Sequence, residues 1–139
     1  MFTENVIREV IDMLRLKELG EVVVSERGSK VLNGLSFKES TLSFFIPSEK
    51  DFYKLTSNPN ATPIDNFGVE GKQHFTIGTR YGKIHFFNKD IDIDKHCDWD
   101  SFSKVYFFHE GYLRWYNGKK EFIWEFFFFF VKTSFKYTL

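Results

Sequence analysis

Apolar residues recur at helical spacing near the start of the chain, at Val6, Ile7, Val10, Ile11, Met13 and Leu14, while Arg8, Glu9 and Asp12 fall on the other side. A stripe of that period predicts an amphipathic helix packed on a sheet. Thr3 is the expected N-cap, Glu4 sits in the first turn, and the pattern runs toward Leu19, where Gly20 ends it.

After Gly20 the period shortens. Glu21 to Glu26 reads as a strand through its three valines, Arg27-Gly28-Ser29 as a turn, and Asn33-Gly34 as a second turn, leaving short strands at Lys30–Leu32 and Leu35–Lys38. Thr41 to Ile46 is a further strand closed by Pro47. Ser48 followed by Asp51 imitates a capping box, so a second short helix is expected near residues 49–56, burying Phe52, Tyr53 and Leu55 on one side.

Residues 57–72 carry Asn58-Pro59, Thr62-Pro63, Gly68 and Gly71 without apolar periodicity, and read as a long loop. Loops of that length in compact domains tend to be functional or disordered, so this one is a place to look for a partner. Gln73 to Asn88 then predicts a hairpin around Arg80-Tyr81-Gly82. If Phe75, Ile77, Ile84 and Phe86 share the buried face, His74, Thr76, His85 and Phe87 share the other.

Asp90-Ile91-Asp92-Ile93-Asp94 alternates with period two, which predicts a strand with its isoleucines inward and its carboxylates outward. Lys104 to Phe108 is the next strand. The turn signal Asn117-Gly118 then predicts a two-residue type I′ hairpin that sets Arg114 opposite Glu121, with Leu113, Trp115, Phe122 and Trp124 on one face. The partner run, Lys119 to Val131, contains five consecutive phenylalanines, Phe126 to Phe130, and Ser134 to Leu139 alternates as a last strand. A run apolar on both faces requires cover on both.

These elements make one α+β domain over residues 1–139. An N-terminal amphipathic helix packs on a curved, mostly antiparallel meander sheet, either open or closing into a partial barrel. At 139 residues such a chain buries roughly two-thirds of its unfolded surface.

Phe alone accounts for 19 residues, which fits a thick core, although AT-rich coding produces the same bias. Nineteen basic and nineteen acidic residues cancel, which removes the long-range field of a general nucleic-acid binder and that of an acidic DNA mimic. One cysteine, Cys97, forms no internal disulfide, and the N-terminus carries no secretory signal pattern, so a cytoplasmic setting is expected. No run reaches the roughly 18 apolar residues of a membrane helix.

No nucleophile elbow, phosphate loop, dinucleotide fingerprint or zinc-finger spacing is present, and no cofactor is expected. The acidic stretch lacks the glycine and final glutamate of a calcium loop, with Lys95 and Ser101 in those places. A transition-metal site would have to draw on His96, Cys97, an aspartate and a distant donor such as His109, so no metal is assigned.

Three functions follow from the pattern. The first is a small interaction domain of the inhibitor or immunity type, presenting Asp90, Asp92, Asp94 and Asp98 to a protein partner or pairing as a homodimer. The second is a small-molecule binder with an aromatic-lined cavity. The third is an enzyme whose site draws on His74, His85 and Asp92.

Overall fold

A computed structural model of the chain describes residues 1–66 and 72–118. The chain divides into two compact units, Met1–His109 and Glu110–Leu139. The first unit is α+β and opens with β1 (Phe2–Thr3) and α1 (Glu4–Met13), followed by β2 (Val23–Val24), α2 (Glu26–Leu32), β3 (Lys38–Glu39) and β4 (Leu42–Phe45). Next come α3 (Glu49–Leu55), β5 (His74–Thr79), β6 (Gly82–Phe87), α4 (Ile93–His96), β7 (Cys97–Asp100) and β8 (Val105–Phe108).

Both predicted helix starts hold. The Thr3 hydroxyl accepts from Val6 N–H and the Ser48 hydroxyl from Asp51 N–H at 3.3 Å, each satisfying a donor the first helical turn leaves open. The first helix is shorter than its apolar stripe. It ends at Met13, Arg15 adopts φ +55°, and Leu16–Glu18 form a 3₁₀ turn that still buries Leu16.

Among the described residues the main sheet has the order β5-β6-β4-β2-β8-β7, while β1 pairs with β3 separately. The sheet is open, with β5 and β7 at its margins, so the barrel alternative does not hold. The β5–β6, β4–β2 and β8–β7 pairs are antiparallel, whereas β4–β6 and β2–β8 are parallel. The predicted meander is therefore replaced by a mixed, mostly antiparallel sheet in which distant segments meet at the centre.

Ile7, Val10 and Ile11 of α1, Val31 of α2 and Phe52 of α3 all pack on one sheet face with Val24, Leu42, Phe44, Phe75, Ile77, Ile84 and Phe86. Stacked rings at Phe44–Phe86 and Phe75–Phe86, 5.7 and 5.3 Å apart, run through that layer. The opposite face is also aromatic, with Phe45 against Phe87 and Phe108, and Trp99 against Tyr106.

The largest departure from the predicted elements is α2, where turns and short strands were expected. Gly28 is a close-approach glycine rather than a turn glycine, since a Cβ there would lie 2.5 Å from Val24 Cγ1 and 3.0 Å from Leu42 Cδ1. Asn33-Gly34 ends this helix instead of turning a hairpin. Gly34 takes φ +73°, its N–H reaches Val31 C=O at 3.0 Å, and Leu35 N–H reaches Lys30 C=O at 2.8 Å, the bond pattern of a Schellman cap.

Residues 110–118 are helical, which overturns the predicted strand leading into Asn117-Gly118; Gly118 does not adopt the positive φ that a type I′ turn requires. The same residues satisfy helical spacing equally well. Glu110 and Arg114 form an i,i+4 ion pair at 2.6 Å, and Tyr112 meets the Trp115 and Tyr116 rings at 5.7 and 6.2 Å. The predicted strands over 119–131 and 134–139 lie outside the described residues. Among the described residues no helix is long and apolar enough to cross a membrane.

Candidate functional site

The β5–β6 hairpin has the predicted facing. Its register sets Phe75 against Phe86 and Ile77 against Ile84 on the core side, and Thr76 against His85 and His74 against Phe87 on the other. The two-residue connection Arg80-Tyr81 is held against α1, since Glu9 pairs with Arg80 and accepts the Tyr81 hydroxyl.

Residues 61–65, read from sequence as part of a loop, run antiparallel along the outer side of β5, with bridges Ala61↔Ile77 and Asp65↔His74. Five residues on the loop side oppose four on β5, the count of a β-bulge, which re-aims the side chains around it. Thr62 fastens the bulge, its N–H donating to Thr76 C=O and its hydroxyl accepting from Thr76 N–H, both at 2.9 Å.

The bulge brings the Asp65 carboxylate 2.9 Å from His74 Nδ1, and His74 Nε2 lies 2.9 Å from His85 Nδ1. His74 is the buried middle of this chain, its side chain 6% exposed, whereas Asp65 is 52% exposed. A carboxylate only accepts, so His74 Nδ1 carries a hydrogen. With His74 neutral, its Nε2 accepts from His85 Nδ1–H, and the free lone pair of the chain sits on His85 Nε2. Burial lowers the His85 pKa, the charges of His74 and Lys83 lower it further, and Asp65 opposes them.

The two histidines expected on one face do meet, and the carboxylate beside them is Asp65, with Asp92 elsewhere in the fold. Asp92 is the N-cap of α4, its carboxylate accepting from Lys95 N–H, and β6 is separated from β7 by three strands. Asp65 sits in a stretch without periodicity, and no sequence signal marks it.

The acidic stretch is also built differently. Residues 93–96 are helical instead of extended, Ile91 and Ile93 are only partly buried, and Asp90, Asp92, Asp94 and Asp98 are exposed. Capping by Asp92 defeats the alternation, because a carboxylate that closes the first turn favours helix over strand. Burial pushes the Cys97 thiol up to about 12, aided by Asp98, Asp92 and Glu26, so three elements contribute negative charge at this corner. Asp100, the remaining member, is drawn inward by Arg8, which also reaches Ser103 Oγ at 2.8 Å and lies over the Phe102 ring. His109 Nε2 lies 3.0 Å from Lys95 C=O. Among the described residues no three His, Cys, Asp or Glu side chains converge as metal ligands.

A groove of about 930 Å³ opens between the end of α1, Asn58, Asn60 and the end of β5, and shares no residue with the histidine chain. Among the described residues lining it are Glu9, Asp12, Met13 and Arg80, and none is aromatic. Comparisons with protein-family models, with curated proteins and with solved structures find no match for this chain.

Proposed function

We propose that the chain is a cytoplasmic interaction domain of the inhibitor or immunity type, and that it engages a basic protein partner through the β7 margin. The observation that carries this reading is Trp99, 51% exposed in β7, which is marginal among the described strands, and packed on Tyr106 at 4.8 Å. A half-buried aromatic anchor is the kind of residue that supplies most of the affinity of an interface. Exposed carboxylates at Asp90, Asp92, Asp94 and Asp98 surround it in sequence, and like charges so placed steer an oppositely charged partner during approach.

The test has two stages. Native mass spectrometry of the purified chain distinguishes a monomer from a homodimer, and a homodimer abolished by Trp99→Ala would turn the reading to self-association. For a monomer, affinity capture with wild type, Trp99→Ala and the double variant Asp92→Lys/Asp98→Lys should retain a basic protein on wild type alone. Equal retention by all three overturns the reading.

A further inference from the structure

We propose that His85 is a general base for hydrolysis of carboxylic esters, that His74 takes up the proton His85 passes on, and that Asp65 positions His74 and stabilises its charge. This site lies near the opposite margin of the sheet from Trp99 and is independent of the interaction surface.

The chemistry follows from the hydrogen-bonded chain. His85 Nε2 holds a lone pair while Nδ1–H points at His74 Nε2, 2.9 Å away. When an attacking water gives its proton to His85 Nε2, the Nδ1 hydrogen moves to His74 Nε2, and the positive charge comes to rest beside Asp65, 2.9 Å from His74 Nδ1. Asp65 stays unprotonated throughout and acts by stabilising the imidazolium, as carboxylates do beside catalytic histidines.

Groups around His85 suit the remainder of the step. Lys83 lies two residues earlier on the same strand face, opposite Gly78, where the space beside the glycine is open. Lys83 is thus the cation of this strand face available to stabilise the oxyanion that forms when water attacks the carbonyl carbon. Ser43 stands beside His85 in the β4–β6 ladder and Thr76 beside it in the β5–β6 ladder, so hydroxyls flank the base on both sides. Collapse of the tetrahedral intermediate breaks the bond to the alkoxy oxygen. The proton returns through His74 and His85 to the departing alcohol, and one water is consumed per ester.

Burial, with the Lys83 charge, lowers the His85 pKa and so favours its neutral, proton-accepting form. Among the described residues the charged and titratable neighbours of the base are His74 and Asp65 from the β5 side and Lys83 from its own strand.

The probe is 4-nitrophenyl acetate with the full chain, followed across pH 5 to 9, alongside nitrogen NMR of the histidine rings. Wild type should hydrolyse the ester, with activity rising as His85 loses its proton, and NMR should find His85 protonated at Nδ1 and free at Nε2. His85→Gln should lower the rate about 100-fold, the scale of a positioned base. Asp65→Ala changes a half-exposed residue, and should lower the rate by about tenfold while moving the midpoint of the pH profile down. Lys83→Gln should lower kcat and move that midpoint up, opposite to the shift from Asp65→Ala. A folded His85→Gln variant that hydrolyses the ester at the wild-type rate overturns the proposal. So does an NMR spectrum of wild type at pH 7 with the hydrogen on His85 Nε2, or an Asp65→Ala profile whose midpoint does not move.

Discussion

The Ser29 hydroxyl, wholly buried, accepts the backbone N–H of Phe108 at 3.0 Å across 79 positions of chain and donates to Val24 C=O at 2.9 Å. One side chain thus satisfies the ends of β2 and β8 and locks α2 onto both. Asn33, four residues on, adds a bond from its amide to Phe108 C=O at 2.8 Å. Replacing Ser29 with Ala strands a buried N–H and a carbonyl, at a cost of about 1–3 kcal/mol for each group left unpaired. Urea unfolding of Ser29→Ala should show the loss in its midpoint with an unchanged slope.

Gly28 and Gly34 resist substitution for different reasons. Ala at 28 gains helix propensity, but its methyl meets Val24 and Leu42 side chains at 2.5 and 3.0 Å, and overpacking of that order costs about 1–3 kcal/mol. Ala at 34 meets nothing within 4 Å and is penalised by φ +73° alone, at about 1–2 kcal/mol. A suppressor should separate them: Val24→Ala, which removes the nearest obstructing methyl, should reduce the effect of Gly28→Ala and leave that of Gly34→Ala unchanged.

Cys97 should be a poor nucleophile. A thiol pushed up to about 12 is almost wholly protonated at pH 8, so reaction with a disulfide reagent should run well below that of the unfolded chain. Asp92→Asn and Asp98→Asn each remove a negative charge, and should accelerate the reaction without changing stability by more than about 0.5 kcal/mol. Rates unchanged by both substitutions would place the whole effect in burial.

His85 also sets a pH dependence of stability. Its folded pKa is lowered, so the unfolded chain holds the proton more strongly, and its contribution to stability is complete above the unfolded value of about 6.5. That contribution is lost as the pH falls from there through the lowered folded value. Thermal melting from pH 8 to 5 should show a steeper decline in wild type than in His85→Gln.

Local patterns survived folding where local and long-range preferences agree. The helix starts at Thr3 and Ser48 are cap chemistry, complete within four residues, and the β5–β6 hairpin pairs neighbours whose alternation already divides the faces. The acidic stretch failed because alternation over five residues is satisfied equally by an N-cap at Asp92. Glycines misled because one residue type serves three geometries: turns were expected at Gly28, Gly34 and Gly118, and the structure uses a helix contact, a helix cap and a helical position. Asp65 was illegible for another reason. Its partner His74 is chosen by a bulge in an irregular segment, and a bulge is defined by the strand opposite it.

The parallel pairing of β2 with β8 has a consequence for a chain emerging from the ribosome. Val23 and Val24 pair with Tyr106 and Phe107, about 80 positions later. At roughly 5–20 residues per second, several seconds of translation separate the two strands. Throughout that interval β2 can find β4 but has one margin bare, with three apolar valines, Val22 to Val24, beside it. A transcript cut before the codon for Val105 would release a polypeptide permanently in that condition, with a sticky centre instead of a sticky rim. Nascent chains of this protein are thus most in need of a chaperone in the middle of their synthesis, and least once Phe108 has cleared the exit tunnel.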